Sequence, residues 1–112
     1  MDLGDFKEQM QNSTVMSPDK RDIAMQHIVY ENGFEKQHII IMEELAELMQ
    51  QVSKQIRYKQ TNENLLTLIE EMADAKICLE MLRYMHEIPV YELDKAVSVK
   101  LRRALRNAEG ER

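Results

Sequence analysis

Leu65, Leu68, Met72, Ala75, Leu79 and Leu82 recur at intervals of three, four, three, four and three residues. That spacing gathers all six on one face of an α-helix and scatters them over both faces of a strand, so the stretch is expected to be a helix with one buried side. Ile41, Leu45, Leu48, Val52 and Ile56 follow the same rule, and so do Val90, Leu93, Val97, Leu101, Ala104 and Ala108. No segment alternates with period two, and three Gly and two Pro in 112 residues leave little material for a turn-rich β fold. The fold class expected is all-α.

The ends of the helices are marked by local chemistry. Ser17-Pro18-Asp19 combines an N-cap, a proline at the first helical position and an acid in the first turn. The helix it opens runs through Ile23, His27 and Tyr30 to Asn32-Gly33. A second helix starts near Phe34 and fades in the polar link from Arg57 to Gln60. Asn62 is the expected cap of the third, with Glu63 in its first turn. That helix stops before Pro89, whose predecessor resists the α conformation, and Gly110 closes the fourth. Residues 1–17 lack a sustained apolar period and read as a flexible arm with room for a short helix around Phe6 to Met10. Residues 18–112 then form a single domain, a four-helix antiparallel bundle.

Charge and cysteine content narrow the function. Twenty acids against fifteen bases give −5, which disfavours binding to a nucleic-acid polymer. The balance is uneven, because residues 95–112 hold six bases and two acids. The lone Cys78 excludes an internal disulfide and fits a reducing compartment. The longest unbroken apolar run, Ile39 to Met42, is far below the ~20 residues of a membrane span. Asp2, Asp5 and Glu8 interrupt any leader-like opening, so a cytoplasmic protein without a membrane partner is expected.

The surplus acids are not scattered. Glu44 and Glu47 lie three apart in the second helix, and Glu71 and Asp74 three apart in the third. Ile40, Ile41 and Leu48 surround the first pair at helical spacing, while Leu68, Ala75 and Cys78 surround the second. The four carboxylates therefore border the apolar stripes, and antiparallel packing of the two helices lets them converge. Converging carboxylates repel and lose hydration, which protonation or a divalent cation relieves. Oxygen ligands without a matching His or Cys suit Mg²⁺ or Mn²⁺ better than Zn²⁺. The chemistry that follows is metal-assisted phosphoryl or nucleotidyl transfer to water. The competing view is that Glu-rich helices are ordinarily solvated surfaces and a single Glu-x-x-Glu carries little information.

Glu44-x-x-Glu47 followed, after 23 residues, by Glu71-x-x-Asp74 resembles the signature of the MazG-like all-α nucleoside triphosphate pyrophosphohydrolases. Gly33-Phe34-x-x-Gln37 before the first motif, Lys54 after it, and Lys100-Leu101-x-Arg103 in the closing helix are similar to that family's pattern, over residues 20–107. The nearest likeness is to small single-domain members of bacteria and their phages. The resemblance implies a homodimer or homotetramer that cleaves a (deoxy)nucleoside triphosphate between the α- and β-phosphates, giving monophosphate and pyrophosphate. It also implies that Glu44, Glu47, Glu71 and Asp74 hold Mg²⁺, with Mn²⁺ as a substitute, and that activated water attacks the α-phosphorus. Glu43 is placed beside the ligands as a water-orienting base, Lys54, Lys100 and Arg103 at the phosphates, and Gln37 at the base. The six aromatic residues offer no obvious stacking partner, so the base is not legible.

Two rivals share these helices. A di-iron bundle needs Glu-x-x-His on two helices; Glu35-x-x-His38 is one, but Arg83 stands where the second would need Glu, three before His86. A non-catalytic helical dimerisation or regulatory protein of phage or bacterial origin would use the same apolar stripes, with the methionines as packing.

Overall fold

The computed structural model describes residues 2–58 and 60–110. Among the described residues it is all-α, with five helices: α1 (Leu3–Asn12), α2 (Pro18–Asn32), α3 (Phe34–Arg57), α4 (Asn62–Met85) and α5 (Val90–Ala108). The four expected helices correspond to α2 through α5. The arm holds more helix than the stretch around Phe6 to Met10. The Asp2 carboxylate accepts from the Asp5 amide at 2.9 Å and caps a ten-residue α1, none of it buried. A cap needs no apolar period, and that is why the periodicity does not reveal it.

Boundaries follow the local chemistry closely. Ser17 Oγ accepts from the Lys20 amide at 3.3 Å, and Pro18 occupies the first turn of α2. Gly33 both ends α2, through its N–H to the Val29 carbonyl, and precedes α3. Its φ of 83° and ψ of 165° lie in a region essentially reserved for glycine. At α4 the cap is Thr61 and not Asn62: the Thr61 hydroxyl accepts from the Asn64 amide at 3.1 Å. Asn62 is displaced into the first turn because Thr61 offers the same acceptor one residue earlier.

The chain divides into two compact units, Met1–Leu82 and Arg83–Arg112. In the first, α2, α3 and α4 pack together. Gln37 meets Met81, Glu47 lies by Glu71, and Gln55 reaches the Asn64 carbonyl, so numbers rise along α3 as they fall along α4. The pair is antiparallel, as a short link requires. Met25, Ile41, Ala75, Cys78 and Met81 form the buried apolar centre, joined by buried Gln37 and Gln51. Arg21 of α2 holds both Glu80 oxygens of α4 at 3.3 and 3.4 Å.

The second unit opens with the last turn of α4. The Ile88 amide donates to the Arg83 carbonyl at 3.0 Å and the Glu87 amide to Tyr84 at 3.1 Å. These two bonds define a Schellman ending, with Glu87 in the left-handed region at φ 55°. Arg83 Nη1 adds a bond to the Ile88 carbonyl at 2.9 Å. Pro89 then caps α5, which ends at Ala108 with Glu109 as its C-cap, has no buried residue, and is followed by Gly110 at φ 84°. Among the described residues no helix is long and apolar enough to cross a membrane.

Candidate metal centre

Glu44 and Glu47 occupy adjacent turns of α3 because they are three residues apart; Glu71 faces them from α4. One carboxylate oxygen from each of the three lies within 4.8 Å of the other two. Glu44 and Glu71 are half-buried and Glu47 is exposed. The Oε2 atoms of Glu44 and Glu71 are buried and make no hydrogen bond. Buried acceptors of this kind cost free energy until a donor or a cation meets them.

Burial pushes the Glu44 carboxyl from its ordinary 4.5 up to about 7, and the charges of Asp74, Glu47 and Glu71 push in the same direction. Glu71 is raised for the same reasons, first by burial and then by Glu47, Asp74 and Glu70. Asp74 stands outside the close trio, yet its carboxylate is the strongest charged influence on Glu44 and would accept a hydrogen bond from protonated Glu44. The four acids of the two motifs are thus one electrostatic cluster. The salt bridges among the described residues, Arg21–Glu80 and His27–Glu31, involve none of them.

This arrangement fits a hard divalent ion. The donors are all carboxylate oxygens, two have unused buried lone pairs, and their mutual repulsion is relieved by positive charge.

The other expected site residues separate. Glu43 is exposed on α3 and, four before Glu47, neighbours it on the helix surface. Lys54 is exposed and lies seven residues beyond Glu47, hence on the same face about 10 Å further along the axis. Lys100 and Arg103 are exposed and three apart on α5, in the second unit. Gln37 departs from expectation. It is 1% exposed, its Oε1 accepts from Asn32 Nδ2 at 2.8 Å, and its Nε2 donates to Met81 Sδ at 3.3 Å. A side chain so enclosed, with both ends engaged, is part of the core. The signal was present in the spacing: Gln37 precedes Ile41 by four and shares its stripe.

Cys78 is a feature the motif pattern alone does not assign. It is buried one turn beyond Asp74, and burial together with Glu44 and Asp74 raises its thiol to about 11. Its thiol therefore stays protonated and neutral at neutral pH. No family model, no curated protein and no solved structure matches the chain.

Proposed function

We propose that the chain is a Mg²⁺-dependent hydrolase that converts a (deoxy)nucleoside triphosphate to the monophosphate and pyrophosphate. The observation that carries this reading is the convergence of Glu44, Glu47 and Glu71 within 4.8 Å, with the Glu44 and Glu71 Oε2 atoms buried and unbonded. The residue pattern described above supports it, since the converging acids are those the resemblance assigns to metal binding.

In this reading Glu44, Glu47 and Glu71 hold the ion, and Asp74 adds negative charge through its closeness to Glu44. Mg²⁺, or Mn²⁺ in its place, supplies charge to phosphate oxygens and lowers the pKa of an attacking water. Glu43, exposed beside Glu47, is positioned to orient that water and take its proton. Lys54 extends the face toward the phosphates; the resemblance alone carries Lys100 and Arg103, three apart on α5, as phosphate contacts. The assembly carried by this reading is a four-helix antiparallel core, as a homodimer or homotetramer.

The test is pyrophosphate release from a panel of ordinary and modified (d)NTPs with Mg²⁺ and with Mn²⁺. Glu44→Gln and Asp74→Asn are expected to lower turnover at least 100-fold while the protein stays folded. Turnover retained in both would refute the assignment. The second reading, a non-catalytic helical interaction protein, draws on the large apolar side chains left exposed on α3 and α4. No release from any nucleotide, with no rise in melting temperature on adding Mg²⁺, would favour it.

A further inference from the structure

Helix α3 buries two glutamines, and they are not alike. Gln37 has both ends of its amide engaged, by Asn32 and by Met81. Gln51 is 5% exposed, yet among the described residues its amide has no hydrogen-bond partner. Neither of its amide atoms is wholly enclosed, in contrast to the Oε2 atoms of Glu44 and Glu71. A buried amide without a partner destabilises the fold, and an apolar side chain of similar size would fill the position without that cost. Such a group calls for a partner from outside the chain.

Its place on the helix says what that partner is. Gln51 follows Glu47 by four residues and precedes Lys54 by three. At about 100° per residue it lies roughly 40° around the helix from Glu47 and roughly 60° from Lys54, on the side of both that turns toward α4. Helical side chains lean toward the N-terminus, so the amide reaches back over the turn that carries Glu47. Across the contact with α4, Glu71 lies by Glu47, and Gln55 reaches the Asn64 carbonyl at 3.4 Å. Gln51 stands between these two crossings. The face thus passes from carboxylates, through a neutral amide set deeper, to the exposed ammonium of Lys54. An ion held by the acids attracts phosphate oxygens at one end of this row, and Lys54 attracts them at the other. A phosphate chain spanning the two passes over Gln51, whose N–H groups donate to an oxygen without adding charge beside the ion.

We propose that Gln51 is a substrate-contact residue, its Nε2 donating to an oxygen of the triphosphate between the acids and Lys54. The proposal rests on the hydrolase reading given above. Gln51 lies outside the residue pattern on which the resemblance stands, and its burial without a partner is what singles it out.

The experiment is calorimetric titration of the full chain with inorganic triphosphate in Mg²⁺, which involves neither a base nor turnover. Wild type is expected to bind, and Gln51→Met to bind about 10- to 100-fold more weakly, the worth of one hydrogen bond to a charged group. The variant should bind Mg²⁺ alone as wild type does. Its melting temperature in EDTA should match or exceed that of wild type, whereas a structural role would lower it. A second measurement needs no variant. On adding Mg²⁺ and triphosphate to wild type, the Gln51 side-chain amide protons should become protected from exchange with solvent, and those of Gln37, already bonded, should not change. Equal triphosphate affinity in Gln51→Met, or no protection at Gln51 in wild type, would make Gln51 a hydrated core amide and overturn the proposal while the hydrolase reading stands. A wild type that binds no triphosphate in Mg²⁺ overturns that reading and the proposal with it.

Discussion

Glu44→Gln is expected to flatten the pH dependence of stability in the metal-free protein. The Glu44 carboxyl titrates near 4.5 in an unfolded chain and near 7 when folded. Below about 4.5 both states hold the proton, between 4.5 and 7 only the folded state does, and above 7 neither does. Folding stability is therefore unpenalised in acid, falls as pH climbs through this window, and stays low above it. At about 1.4 kcal/mol per tenfold change in protonation, the full rise corresponds to roughly 3 kcal/mol. The cluster is partly open to solvent, and screening reduces this to about 1–2 kcal/mol. The assay is a set of urea melts in EDTA at pH 5 and pH 8. Wild type should lose about 1–2 kcal/mol between them, and Glu44→Gln, neutral throughout, should lose less than half as much. Adding Mg²⁺ at pH 8 should restore wild type and leave Glu44→Gln almost unchanged, because binding to the folded state alone stabilises it. Equal pH slopes in the two proteins, or equal stabilisation of both by Mg²⁺, would refute the reasoning from burial and repulsion.

Two further substitutions test the scaffold. Gln37→Ala should cost about 2–4 kcal/mol in chemical denaturation, from the lost packing and the two lost hydrogen bonds, whereas a residue serving only the substrate would change KM and leave the denaturation midpoint alone. Glu87→Gly should raise stability by about 0.5–1 kcal/mol, since glycine accepts the left-handed conformation that Glu87 holds at φ 55°; a fall in melting temperature would count against the Schellman ending.

Much of the fold is legible in the chain because its signals are local. Ser17-Pro18, Gly33 and Pro89 act through their own backbone chemistry, and the three-four spacing of apolar residues needs no partner to be recognised. The convergence of Glu44, Glu47 and Glu71 is legible for a related reason: acids bordering a core stripe are anomalous wherever the stripe goes. What escapes are features that depend on a competitor or a neighbour. Thr61 and Asn62 are both good caps, and only the folded backbone chooses between them. Gln37 looks like a surface residue by type, and its burial depends on Asn32 and on Met81, forty-four residues away. An outward apolar row on α3 is hidden in the sequence because Leu45, Val52 and Ile56 also fit the inward stripe when Met42 and Met49 are taken as filling. Exposure marks Met42, Met49, Val52 and Ile56 as outward, while Leu45 and Leu48 are both half-buried.

The buried amide of Gln37 has a consequence for the carboxylates two turns away. Aliphatic side chains tolerate sliding: a leucine at that position would find comparable contacts if α4 moved along α3 by one helical turn, about 5.4 Å. An amide does not, because such a shift would separate it from the Met81 sulfur and leave a polar group dry and unbonded. Gln37 therefore acts as an index mark for the sliding coordinate of the α3–α4 pair, much as a single buried asparagine sets the alignment of a coiled coil. Glu44 lies on the same rigid helix, and its distance from Glu71 inherits that alignment. The spacing of the acids is fixed from outside the cluster, by a neutral group that touches none of them, and so it can persist even when the acids themselves repel.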